Sequence, residues 1–174
     1  DGAADRTKLG GPVDALISIE GATTAVNLSW QELEPEGAIL AAFGRGRCLR
    51  IVRVRSLRGA PMSLTTLHVP ARHKGVLSPD DPAEIPVMAV IERNGTAPER
   101  AEQVITAVPA SPLAAEKLGT QEGAPLICMR RLVLDRDRAP VLHQESLYTP
   151  DRFEYSLTLS RSQVGPAARW VPIS

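Results

Sequence analysis

The chain carries one pattern twice, and a two-fold repeat of this kind restricts the fold more than any other feature. The first copy runs through Ala38-Ile39-Leu40-Ala41-Ala42-Phe43-Gly44, a strand from Leu49 to Arg55, the pair Ala60-Pro61 and a returning strand from Met62 to Val69. The second runs through Pro112 to Gly119, then Leu126 to Leu134, Ala139-Pro140 and Val141 to Tyr148. A solenoid needs three or more repeats to bury its faces, so two copies point to one duplicated domain. A doubled helix-and-hairpin unit closes into one sheet with a cleft between its halves, and the cleft is the place to look for function.

Each segment has its own signal. Thr23 to Trp30 has the β-branched and aromatic content of a strand, and Glu34 to Phe43 reads as a helix with Pro35 in its first turn and Gly44 as its stop. Period-two alternation puts Leu49, Ile51, Arg53 and Arg55 on one face of the next strand and Arg50, Val52 and Val54 on the other. Arg58-Gly59 turns that strand into its partner. Pro70 to Asp81 reads as an irregular loop closed by the helix-start signal Ser78-Pro79-Asp80-Asp81, and Ile85 to Arg93 as a short helix stopped at Asn94-Gly95. Gln103 to Val108 is a strand leading to Ser111, an N-cap with Pro112 at the first helical position. Phe153, Tyr155, Leu157 and Leu159 alternate as an inward face. The sum is an α+β domain: a mostly antiparallel sheet of about six strands with short helices.

At 174 residues there is room for one well-buried core. Lys plus Arg and Asp plus Glu each total 20, a formal net charge of +0, whereas a nucleic-acid-binding domain carries a basic excess or stripe. Direct DNA binding by this chain is therefore not expected. No run approaches the ~18 apolar residues of a membrane span, and no signal pattern opens the chain, so a soluble, cytoplasmic protein is expected. Cys48 and Cys128 read as small buried residues, bridged only if their strands are neighbours. His68, His73 and His143 lack metal-ligand spacing, and no cofactor fingerprint is present, so neither metal nor cofactor is expected.

The stretch from Ala107 to Arg161 carries Leu118-Gly119, Gly123-Ala124-Pro125-Leu126, Arg130-Arg131, Asp135, Ala139-Pro140-Val141, Tyr148 and Asp151-Arg152-Phe153-Glu154-Tyr155. It closely resembles the C-terminal half of the UTRA domain, the effector-binding domain of many GntR-type bacterial transcription regulators, whose fold is similar to chorismate lyase. The first half resembles the family more loosely, through Leu16-Ile17-Ser18, Leu40 to Gly44, Arg53, Arg55, Pro61, Pro70 and the Ile85 to Gly95 segment. The resemblance implies a polar tail or linker at residues 1–11 and a UTRA-like domain over 12–174, behind a winged helix-turn-helix that this sequence lacks. It also implies a homodimer that binds a small anionic metabolite and touches DNA only through that missing domain. The alternative is a chorismate-lyase-like enzyme acting on an anionic aromatic substrate, which fold alone does not decide.

The resemblance also proposes ligand-binding residues. Arg53 and Arg55 match the paired arginines that hold an anionic group in some relatives, and a planar guanidinium fork suits a carboxylate or phosphate. Ser18 and Ile19 match a segment whose N–H groups and hydroxyl approach the same anion. Tyr148 stands where relatives place a ligand-contacting Tyr. Thr65 and Leu142 stand where sugar-binding relatives carry acidic residues, which favours a less polar, carboxylated ligand over an amino sugar. His68 and His143, on opposite hairpins, are candidates for the cleft wall. Asp151-Arg152 reads as structural, with Arg152 paired to Asp135 or Glu154.

Overall fold

Two residues at positive φ, Arg58 (51°) and Gly59 (79°), make the two-residue turn that twists β3 (Cys48–Leu57) back into β4 (Ala60–Pro70). This hairpin and its duplicate, β6 (Pro125–Asp135) with β7 (Pro140–Tyr148), are the centre of the molecule. The computed structural model describes residues 7–10, 23–164 and 167–172. In it, β2 (Thr23–Leu33) flanks the first hairpin and β5 (Pro98–Pro109) the second. The sheet order is β2-β3-β4-β7-β6-β5, antiparallel throughout, so the two copies meet at the β4–β7 seam.

Among the described residues four short helices attach to this sheet: α1 (Gly37–Phe43), α2 (Ala71–Lys74), α3 (Val87–Arg93) and α4 (Pro112–Leu118). On one face, here the front, Leu49, Ile51, Leu67, Val133 and Leu142 pack with Val87 and Ile91 of α3. On the back, Val52, Leu64 and Leu126 pack with Ala114, Ala115 and Leu118 of α4. Both faces are therefore covered, which is why β3 and β6 read as nearly continuous apolar runs interrupted by arginines. Two further pairs complete the described residues: β1 (Thr7–Gly10) runs parallel to β8 (Phe153–Ser156), and β9 (Leu159–Val164) runs antiparallel to β10 (Ala167–Pro172).

The N-cap of α4 forms as its sequence dictates. Ser111 Oγ accepts from the Ala114 N–H at 3.2 Å, Pro112 opens the helix, and Gly119 ends it in the left-handed region at φ 66°. Ser111→Ala is expected to cost about 1 kcal/mol, read as a lowered urea midpoint at unchanged m-value, with Ser111→Gly costing only a few tenths.

Several expectations are corrected. The first helix begins at Gly37, not Glu34, because Glu36 keeps extended dihedrals as its N-cap. Ser78 to Asp81 forms a closed turn rather than a helix start: the Asp81 carboxylate accepts from the Ser78 N–H at 2.9 Å and Ser78 Oγ accepts from the Asp80 N–H at 3.2 Å. The local bonds satisfy the turn itself, and α3 waits until after Pro86. Residues 71–74, expected as loop, form α2. Thr7–Gly10, expected in a tail, form β1. Of the alternating set near the end only Phe153 is buried; Tyr155, Leu157 and Leu159 are exposed. Cys48 and Cys128, by contrast, are as read from the sequence: buried free thiols, on β3 and β6, which two strands separate.

Candidate functional site

The polar part of the front face lies where the arginines interrupt β3. Adjacent rows run Asn27, Arg53, Thr65, Ser146 and Ala25, Arg55, Ser63, Tyr148 across β2, β3, β4 and β7. Arg53, Arg55, Thr65 and Tyr148, four of the expected ligand-binding residues, are thus brought together on one face, as period two requires. Leu142 lies on the same face further along β7, within the front core and in the wall of a cavity of about 120 Å³ that also takes in Met88, Val133, Gln144 and Arg131. Ser18 and Ile19 lie outside the described residues.

Arg53 is only 6% exposed. Its Nε donates to Asn27 Oδ1 at 2.9 Å and its Nη1 to the Ile85 carbonyl at 3.2 Å. Arg55 donates to Thr23 Oγ1 at 3.2 Å and to the Glu84 carbonyl at 3.3 Å. Among the described residues neither forms a salt bridge. Burial pulls the Arg53 guanidinium down to about 10, the Arg55 charge adding to the fall and Glu84 opposing it. Arg55 is lowered for the same first reason. Both stay cationic near neutral pH. The Glu84 carboxylate accepts from the Ala25 N–H at 3.3 Å, which with its own backbone hydrogen bond keeps it below the usual carboxylate range.

Between the arginines of β3 and the far strands the floor is hydroxyl and amide. Thr65 Oγ1 and Ser146 Oγ are 2.9 Å apart, and Gln144 Nε2 donates to Ser146 Oγ at 2.9 Å. Ser146 is 0% exposed, Ser63 3% and Tyr148 5%. The Tyr148 ring stacks on Phe153 at 4.1 Å. Burial raises its phenol pKa, against the opposing pull of Ser146, Arg131 and Arg55. The arrangement sets fixed guanidinium donors beside neutral hydroxyls on one face of the sheet.

Sequence reasoning did not single out Ser63, Ser146, Gln144, Asn27 or Arg131 as site residues. Their signal is parity: each occupies the same face as Arg53 once strand register is known. The carbonyls of Glu84 and Ile85, in the loop before α3, carried no readable signal. Two other expectations are corrected, the cleft placement of His68 and His143 and the pairing of Arg152 with Asp135. His68 and His143 do not line this site; they lie on the back-face parity of β4 and β7 and pack against each other, ring centroids 6.1 Å apart. Arg152 reaches Asp151 and the Pro61 carbonyl, while Asp135 is held by Arg72 at 3.2 Å. Glu145 falls on the face opposite Tyr148.

Among the described residues no helix is long and apolar enough to cross a membrane, and no cluster of three metal-ligating side chains occurs. The chain is 28% identical over 123 residues to the HTH-type transcriptional repressor NagR of Bacillus subtilis, a match covering 70% of this chain and 50% of that protein, so it spans half the length of this curated relative. Its fold is similar to the effector domain of PhnF from Mycobacterium smegmatis (TM-score 0.72, 21% identity, 87% of this chain and 96% of that one). It is similar also to a GntR-family transcriptional regulator from Enterococcus faecalis (TM-score 0.66, 20% identity, 78% of this chain and 99% of that one). The UTRA domain model matches residues 21–154 and so takes in every described site residue named above, and the chain belongs to the UTRA family of effector-binding domains of GntR-type transcription regulators.

Proposed function

We propose that this domain senses a small anionic metabolite, which Arg53 and Arg55 hold, and that occupancy modulates DNA binding by a separate N-terminal domain in a homodimer. The observation that carries the reading is a pair of guanidinia on one strand face, one almost wholly buried and neither in a salt bridge among the described residues. Burying such a charge is costly unless something pairs it, and a bound anion supplies the missing partner. Thr65 and Tyr148 contribute hydroxyls beside the anion, Leu142 an apolar wall, and Ser18 and Ile19, by the family resemblance, further donors from the segment before β2. The names of the relatives support a regulator over the chorismate-lyase type of enzyme.

Signal transmission needs differential affinity, since a ligand that binds two dimer arrangements equally shifts nothing. The loop before α3, whose Glu84 and Ile85 carbonyls accept from the two arginines, is where occupancy changes the hydrogen bonding first. Isothermal titration with inorganic phosphate tests the clamp. Arg53→Ala is expected to weaken binding by about 10- to 150-fold, the loss of a charge-assisted contact. Unchanged affinity in the variant removes the clamp from the account.

A further inference from the structure

The duplication repeated the arginine site as well as the fold. Each hairpin carries one extra residue in its returning strand, Met62 in the first, where the register steps from Arg55 and Ser63 to Ser56 and Pro61. The second carries Val141, where it steps from Val133 and Leu142 to Leu134 and Pro140. Matching these bulges sets the equivalence of the two halves residue by residue. Arg55 corresponds to Val133, Thr65 to Gln144, and Arg53 to Arg131. The cross-strand partner of Arg53 on β2 is Asn27, and that of Arg131 on β5 is Gln103.

The chemistry follows the register. Arg53 donates to the Asn27 side-chain oxygen, and Arg131 donates through Nη2 to the Gln103 side-chain oxygen. Both arginines are 6% exposed, and burial pulls both down to about 10. Neither forms a salt bridge among the described residues. Among the described residues the other hydrogen bond of Arg131 is to Met129 Sδ at 3.8 Å, a weak acceptor, so there a fork of five N–H donors is tethered at one nitrogen. Glu92 and Glu99 line the nearby cavity, but neither bridges to Arg131. Tyr148 is on β7, between the β3 and β6 walls. β3 and β6 are three strand spacings apart, about 14 Å, across the neutral floor of Thr65, Ser146 and Gln144.

Resting on the effector-binding reading above, we propose that Arg131 is a second anion subsite, pseudo-symmetric with Arg53, and that the effector carries two anionic groups, carboxylate or phosphate, one for each wall. A single anion at Arg53 and Arg55 leaves a buried charge on β6 with no salt-bridge partner among the described residues. A ligand with anionic groups at both ends satisfies both halves of the sheet at once and spans the β4–β7 seam.

The test is a titration series on the purified chain: α,ω-dicarboxylates from succinate to suberate and phosphocarboxylates of similar length, each against the monoacid of equal length, with inorganic phosphate alongside. The matching dianion is expected to bind about 10- to 150-fold more tightly than its monoanion. Arg131→Gln is expected to erase that gap, and Arg131→Lys, which keeps the charge without the fork, to retain part of it. No gap for any dianion, or a full gap in Arg131→Gln, overturns the proposal; the unaltered chain decides the first outcome even if the variant does not fold. Loss of phosphate binding from the unaltered chain would instead strike at the Arg53 and Arg55 clamp, so the two failures are told apart.

Discussion

Ile51→Ala is expected to destabilise the domain by about 2–5 kcal/mol, a large share of the 5–15 kcal/mol that holds a typical domain folded. Ile51 is 0% exposed on β3 and packs with Leu49, Leu67, Val69, Val87 and Ile91. The lost transfer energy of the removed carbons adds to the cost of the space left behind, and a strand held on both sides by neighbours has little room to collapse into it. The cost reaches the site because Val87 and Ile91 of α3 share one core cluster with Ile51, and the loop before α3 supplies the Glu84 and Ile85 carbonyls to Arg55 and Arg53. Urea denaturation should show the lowered midpoint, and phosphate titration a weakened clamp at temperatures where the variant stays folded. Leu40→Ala, on the 41% exposed side chain of α1, should stay within about 0.5 kcal/mol of the unaltered chain. A loss below about 1 kcal/mol for Ile51→Ala would mean that α3 does not pack there.

Acid is expected to unfold the domain through its paired histidines. Burial, the neighbouring His143 and the Arg50 charge hold the His68 imidazole down at about 4, and His143 is lowered by burial first, with Arg130 adding and Glu145 opposing. Nδ1 of each ring is buried and without a hydrogen-bond partner among the described residues. The unfolded chain protonates these rings near pH 6.5, well before the folded chain does. Stability present above that pH is therefore lost as pH falls from about 6.5 toward about 4, the unfolded state binding the extra protons. With a discount for partial exposure, His68 alone contributes roughly 2 kcal/mol of that loss. His143 acts in the same direction. His68→Phe, which keeps a ring against His143, should flatten the fall in urea midpoint between pH 7 and pH 4.5. An equally steep fall in the variant would assign acid sensitivity to the carboxylates instead.

Much of the fold was legible because its signals are local. The N-cap at Ser111 with Pro112, the Arg58-Gly59 turn and the alternation through Arg53 and Arg55 each depend on residues within a turn or a strand of one another. Where long-range contacts decide, local signals misled. Ser78 to Asp81 has helix-start composition yet closes on itself, and Tyr155 and Leu157 have strand alternation yet lie exposed. For the site, Arg53 and Arg55 stood out through resemblance and parity, whereas Arg131 had the right parity but no visible partner.

The amino-acid order by itself determined the doubled hairpin, the face on which each arginine lies and the neutrality that argues against direct DNA contact. Those follow from a period of two and a count of charges, which need no knowledge of neighbours. Tertiary structure alone decided that β4 meets β7, and thereby that Gln144 and Ser146 floor the space between Arg53 and Arg131 and that His68 meets His143 on the reverse side. Strand order and register between distant segments are set by the packing of both buried faces at once, and no window of sequence contains that information.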